Sequence, residues 1–203
     1  DIVVAFVPDE EIGLNGAKAL DLKRFDVDFA WTIDCCELGE IVYENFNAAA
    51  AEIRFTGVTA HPMSAKGVLV NPLLMATDYI SHFDRQQTPE CTEGREGYIW
   101  FNGIQAGQNE AVLKANIRDF DKDSFAARKQ QIADVAALIA AQYPTAKVDY
   151  RIEDTYSNIS NAIGEDRRAI DLMFEAMESL GITPKPTPMR GGTTARRSRL
   201  KGY

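Results

Sequence analysis

Three consecutive acidic residues, Asp9, Glu10 and Glu11, follow an apolar run from Ile2 to Val7, and a further acid, Asp34, closes a second apolar segment, Phe29 to Ile33. Neighbouring side chains on an extended backbone point in opposite directions, so successive carboxylates can divide two tasks, one holding a cation and the other addressing a water beside it. The blander alternatives are an acidic first turn that steadies the next helix through its dipole and, for Asp34, a turn residue. Three other residues have suitable chemistry. His61 sits in a loop with Pro62 and Gly67, and a lone histidine is structural as readily as functional. Arg118 lies on the polar side of an alternating segment and Arg190 leads Arg-Gly-Gly-Thr. Either arginine can grip a carboxylate bidentately. The residues alone favour plain surface charge for Arg118 and a ligand role for Arg190.

These groups need elements to position them. Ile2 to Val7 is apolar without alternation, which predicts a strand buried on both faces of a parallel sheet, and Pro8 ends it. Asn15 is placed to cap a helix running to Lys23, and Phe29 to Ile33 predicts a second strand. Two such strands joined by a helix form a right-handed βαβ unit, with both acidic stops at the carboxyl ends, where open α/β sheets bind ligands. That convergence favours the cation reading. From about Asn47 the pattern changes to alternation: Ile53 and Phe55 face one way and Glu52, Arg54 and Thr56 the other. Asn71 and Pro72 open a helix striped by Leu73, Ala76, Ile80 and Phe83. Two more strands follow, one with Leu113, Ala115 and Ile117 inward. A helix with Phe125, Ile132, Ala136 and Ile139 and a last strand with Val148, Tyr150 and Ile152 complete the set. The order βαββαβ is that of a ferredoxin-like unit, four antiparallel strands with both helices on one face. Beyond it, Ile170, Phe174, Met177 and Leu180 mark a helix stopped at Gly181, and Pro184, Pro186 and Pro188 return the chain to loop. The predicted division is 1–46, 47–154 and 155–203, an α/β domain interrupted by the ferredoxin-like unit.

Composition narrows the function classes. With 203 residues, 45% hydrophobic and 26% charged, the chain can bury a core of one large domain or two modest ones. Up to Phe46 there are eleven acidic residues against three basic, and nineteen of each thereafter, so the acidity is local and disfavours nucleic acid, which requires a basic footprint. No run approaches the roughly eighteen apolar residues of a membrane span, and no leader pattern precedes Ile2. Three cysteines, two of them adjacent at Cys35 and Cys36, suit reduced thiols and a cytoplasmic setting.

The order and spacing of PDEEIG, TIDCCELGE, AHPMSAKG, NIRDFD and RGGT resemble the peptidase T family, tripeptide aminopeptidases among the dinuclear zinc metallopeptidases. Aminoacylases and glutamate carboxypeptidases are more distant relatives. The resemblance spans nearly the whole chain and implies part of a zinc-peptidase catalytic domain with an inserted lid and dimerisation domain. By position it makes Glu10 the general base, Glu11 a zinc ligand and Asp34 the ligand of a second zinc. It makes His61 a group reaching the substrate, in many members from the partner subunit, while the grip of Arg118 and Arg190 on a short peptide's carboxylate rests on their own chemistry. Two metals about 3.5 to 4 Å apart polarise the scissile carbonyl and acidify a bridging water. The pattern also departs from the family. Its upstream His-x-Asp and bridging Asp and its downstream His have no counterpart, Cys35-Cys36 stand where two glycines are usual, and Thr194-Ala195 replace Asp-Gly. The resemblance therefore implies an internal fragment, inactive alone, of a homodimeric enzyme. The alternatives are a metal-site-deficient dimerisation or peptide-binding module, and a related deacylase or carboxypeptidase.

Overall fold

The computed structural model describes residues 2–9, 15–21, 23–25, 27–33 and 37–192. In chain order the elements are α1 (Asn15–Ala19), β1 (Glu40–Ile41), β2 (Asn47–Thr56), a 3-10 turn (Pro62–Ser64), α2 (Pro72–Ser81) and a second 3-10 turn (Pro89–Cys91). There follow β3 (Tyr98–Ala106), β4 (Glu110–Asp119), α3 (Lys122–Gln142), β5 (Lys147–Tyr156), α4 (Ser160–Ile163), α5 (Arg168–Ser179) and β6 (Lys185–Pro186). They divide into a continuous unit, Phe46–Tyr156, and a split unit, Asp1–Asn45 with Ser157–Tyr203. Among the described residues no helix is long and apolar enough to cross a membrane.

The continuous unit has the expected βαββαβ order. Its four strands lie β3-β4-β2-β5, every neighbour antiparallel. Alternation builds the core: Ile53, Phe55, Leu113, Ala115 and Ile117 are buried on the face covered by α2 and α3. β2 begins earlier than its alternation suggests, because Ala48, Ala49 and Ala51 are also buried. Alanine favours helices, and here two-sided pairing overrides that preference. Asn71 caps α2 by accepting from the Leu73 N–H (3.0 Å), with Pro72 in the first turn. Asp121 caps α3 through the Ser124 N–H (2.8 Å), a bond that lowers its carboxyl pKa.

The apolar stripe of α2 is rotated from the expected one. Met75, Ala76 and Tyr79 are fully buried, Ile80 and Phe83 pack at the margin, and Leu73 is 42% exposed. Tyr79 anchors the arrangement, as its ring sits among Phe55, Phe83 and Phe101 with centroids 5.2 to 6.0 Å away. Its hydroxyl donates to the Ile132 carbonyl of α3 (2.9 Å), satisfying a polar atom that burial would otherwise penalise. Burial also pushes its pKa well up. On β5, Tyr150 is half exposed, as an edge position allows.

The split unit corrects the sequence reading. Ile2 to Val7 and Phe29 to Ile33 form no strands, and Ile2, Phe6 and Ile33 are almost fully exposed. An apolar run states what a segment needs around it; a strand buried on both faces also requires neighbours and covering helices, and no described strand pairs with these two. α1 ends at Ala19 rather than Lys23, with Asn15 as its first residue. The proline-rich segment, expected to be loop, instead supplies β6, parallel to β1. The N–H groups of Lys185, Thr187 and Met189 donate to Gly39, Ile41 and Glu44 carbonyls (2.7, 3.0 and 3.1 Å). Pro184, Pro186 and Pro188 occupy the alternate positions, so every available donor serves one edge. α5 ends as predicted at Gly181, whose φ of 72° closes the helix with Gly181 N–H to Glu178 and Ile182 N–H to Met177. Leu180 is left exposed.

Ile53→Ala, which empties a fully buried site in the central strand, should cost about 3 kcal/mol. A fall in the urea midpoint at constant slope would measure it, and an unchanged midpoint would show that β2 is not the packing centre.

Candidate functional site

Glu10, Glu11 and Asp34 lie outside the described residues, as do Cys35, Cys36, Thr194 and Ala195. The flanks of the acidic segment are described. Asn15 and Gly16 N–H groups donate to the Asp9 and Pro8 carbonyls (3.1 and 3.0 Å), so the ends of the segment meet. Gly16 is required there, because a Cβ would come within 2.3 Å of the Pro8 oxygen. Asp9 adopts φ of 60°, a left-handed conformation that Asp tolerates better than most residues.

His61 is exposed at the N-terminus of the first 3-10 turn, where its Nδ1 accepts from the Met63 N–H (3.2 Å). A ring nitrogen that accepts carries no proton when the imidazole is neutral, so the outward Nε2 is the donor. His82 is at the C-cap of α2. Among the described residues no three of His, Cys, Asp or Glu cluster to hold a metal.

Arg118 is not the surface charge that its residue pattern favours. Register places Arg118 between Tyr98 and Ala48, with Tyr156 beyond Ala48 on the next strand, all on one rung. Directly paired side chains share a face, and the small Ala48 leaves room for the guanidinium to reach Tyr156, where Cζ lies 4.8 Å from the ring centroid. Nε and Nη1 are buried with no hydrogen-bond partner among the described residues. Burial lowers the pKa of the group, yet an arginine stays charged in a protein. Its Nε and Nη1 are thus donors without an acceptor among the described residues. Next to it, on the opposite face, Asp119 shows the satisfied case: its carboxylate pairs with Arg128 Nε at 2.8 Å, both groups largely buried.

Arg190 is in the split unit, half-buried at the bend after the β6 ladder. The adjoining loop is pinned by Asn45, whose Nδ2 donates to the Gly191 carbonyl (3.2 Å) and whose Oδ1 accepts from the Ile159 N–H (2.7 Å). Asn158 Oδ1 in turn accepts from the Asn45 N–H (2.9 Å). Asn45, Asn158, Ala48 and Tyr156 were not legible as site residues, since their roles arise from long-range pairing and no local pattern marks them.

Within the continuous unit His61 and Arg118 are kept apart. Arg118 pairs with Ala48 near the start of β2, whereas His61 follows Thr56, the last residue of that strand. Eight residues at about 3.3 Å each separate the two ends by roughly 26 Å.

Residues 43–147 match the family model of the peptidase dimerisation domain. A peptidase T-like protein of Yersinia pestis is 69% identical over 95% of this chain, which covers 47% of that relative. Peptidase T of a Geobacillus species is 40% identical over 94% of the chain and 46% of its own length. The chain thus spans about half the length of the curated relatives it matches. Among solved structures, the aminopeptidase PepT of Bacillus cereus superposes with a TM-score of 0.76 at 21% identity, covering 92% of this chain and 50% of that one, a likeness of fold.

Arg118→Met keeps the bulk of the side chain while removing a half-buried charge whose Nε and Nη1 have no hydrogen-bond partner among the described residues, so the unfolding midpoint should hold or rise. Asp119→Ala, which takes the carboxylate from the largely buried Arg128 and leaves it the neutral Gln87 Oε1, should cost about 3 kcal/mol. Urea unfolding of both variants tests the contrast; a large loss from Arg118→Met would show that its cation is already compensated.

Proposed function

Because the chain belongs to the family of the peptidase dimerisation domain, we propose that it is part of a zinc-dependent aminopeptidase that releases the N-terminal residue from tripeptides and works as a homodimer. Residues 47–154 are then the lid and dimerisation domain, and 1–46 with 155–203 belong to the catalytic domain. The observation that carries the reading is the half-buried Arg118, stacked on Tyr156 with two unsatisfied nitrogen donors. A planar guanidinium suits a carboxylate, and a tripeptide ends in one. A clamp on that end, at a fixed distance from the first peptide bond, selects substrate by length.

Zinc, when bound, polarises the scissile carbonyl and acidifies a water. Glu11 and Asp34 have suitable donor chemistry, but two carboxylates fall short of the three protein ligands of a catalytic zinc. Both histidines cap ends of the first 3-10 turn and α2 in the continuous unit. The donor set of this chain does not complete the centre by itself. What its own residues do is handle the peptide and a proton. Glu10 takes the proton at its carboxylate and returns it to the leaving amine. Arg118 binds the terminal carboxylate, and Arg190 has the same bidentate capacity for a peptide carboxylate. His61, from a partner subunit, donates through Nε2 to the oxygen that gains charge. Its distance from Arg118 within one chain supports that assignment across subunits.

The 203-residue chain should bind zinc weakly in calorimetric titration and hydrolyse no trialanine. Turnover above the metal-only background would overturn the incompleteness of its donor set. In a chain extended to the length of the relatives, Glu10→Gln should retain metal and lose about 100-fold or more in turnover, while Glu11→Gln should lose metal. Elemental analysis in the reverse order would exchange the two roles. Mixing extended His61→Ala and Glu10→Gln subunits should restore one working site per mixed dimer; no restoration would place His61 in its own subunit's site.

A further inference from the structure

The strand face around Arg118 carries a second feature that a carboxylate clamp leaves unused. We propose that Trp100 forms the subsite for the side chain of the tripeptide's C-terminal residue, with Asn116 as its floor, and that this subsite favours an aromatic residue at that end. This rests on the reading of Arg118 as the carboxylate clamp.

Register places the two together. On the sheet face turned away from α2 and α3, Arg118 lies opposite Tyr98, and Asn116 lies opposite Trp100. Trp100 is therefore a diagonal neighbour of Arg118, at about 7 to 8 Å between Cα atoms, a spacing that aromatic and long side chains span. In a peptide whose carboxylate is held by Arg118, the terminal side chain branches from the carbon next to that carboxylate, so it falls on the neighbours of Arg118. Two of these are already engaged. The guanidinium lies over the Tyr156 ring, and Tyr98 meets Phe46 edge-on at 5.6 Å. The next rung is open: Asn116 faces the small Ala50 on its other side. Beyond Trp100 a bulge brings Gly103 to the following position on this face, opposite Lys114. With no side chain at Gly103, that flank of the indole is uncovered.

The two tryptophans differ in what they already touch. Trp31 Nε1 donates to the Ala169 carbonyl (2.9 Å), and its ring meets Phe29 at 5.1 Å. Trp100 is 45% exposed, and its indole has neither a hydrogen bond nor a ring contact among the described residues. Such a ring offers a broad apolar face with one donor at its edge, and it pairs with another aromatic ring beyond what area alone returns. The Asn116 side-chain amide, also without a partner among the described residues, can both donate to and accept from a peptide group. Farther along the same face the chemistry changes. Arg54 binds Glu52 and Glu110 (3.2 and 2.6 Å), so charge is neutralised within the sheet there. The apolar surface is thus confined to the end that holds Arg118.

Two measurements test the subsite. In the isotope-labelled 203-residue chain, titration with Ala-Ala-Phe should move both the Arg118 Nε–H and the Trp100 indole N–H resonances, the latter assigned with Trp100→Phe. Trialanine should move Arg118 but leave Trp100 nearly in place. In a chain extended to the length of the relatives, Trp100→Ala should lower the ratio of kcat/KM for Ala-Ala-Phe over trialanine by about fivefold, the scale of a lost aromatic pair. Trp100→Phe should keep most of that ratio, and Gln105→Ala, on the same face beyond Gly103, should keep all of it. Movement at Arg118 without movement at Trp100 would overturn the subsite and leave the clamp standing, whereas no movement at either would overturn both. A ratio unchanged by Trp100→Ala, or an equal loss with both peptides, would also overturn the subsite.

Discussion

Pairing of β2 on both sides is the constraint on which the continuous unit depends. The strand exchanges hydrogen bonds with β4 along ten residue pairs and with β5 along nine, and its register decides everything placed on the sheet. Ile53 and Phe55 hold that register, because side chains alternate strictly and a slip of one residue would carry both into water. Arg118, Ala48 and Tyr156 share a rung only while those two residues stay buried. The same bookkeeping sets His61 at the far end, since the loop that carries it begins where β2 stops.

The neighbours Arg118 and Asp119 show how one strand can serve stability and recognition at once. They face opposite sides of β4. Asp119 meets a guanidinium supplied by α3 and is satisfied within the fold, whereas Arg118 finds an aromatic face but no acceptor for two of its nitrogens. Stacking offsets part of the desolvation of a cation without consuming its hydrogen-bonding capacity. The fold thus holds the group in position with two donors that no described residue takes up.

What the sequence made legible followed from where the causes are local. Alternation in 51–56 and 113–119, Asn71 before Pro72, and Gly181 after an amphipathic helix each encode their own outcome within a few residues. The ferredoxin-like order emerged from local patterns of this kind, with the stripe in 125–139 and the alternation in 148–152 completing it. The burial of Arg118 was hidden because it depends on Ala48 and Tyr156, residues seventy and thirty-eight positions away that meet it only through register. The α2 stripe is rotated from the expected one because Tyr79 turns inward, and the partner that lets its hydroxyl be buried is a carbonyl on another helix. Ile2 to Val7 failed for a different reason: its apolar character describes an environment, and no described strand supplies one. The acidic residues read first lie outside the described residues, so their roles rest on resemblance and proposal.

The prolines of β6 act as well on the chain that has not yet folded. A segment of two strand residues contributes few contacts, and fixing its backbone would ordinarily cost more than so short a ladder returns. Three pyrrolidine rings in five residues restrict φ before any hydrogen bond forms, so the disordered state begins with fewer conformations to lose. The segment reaches β1 already extended, and its valence is one: a second strand approaching from the other side would find rings where it needs donors.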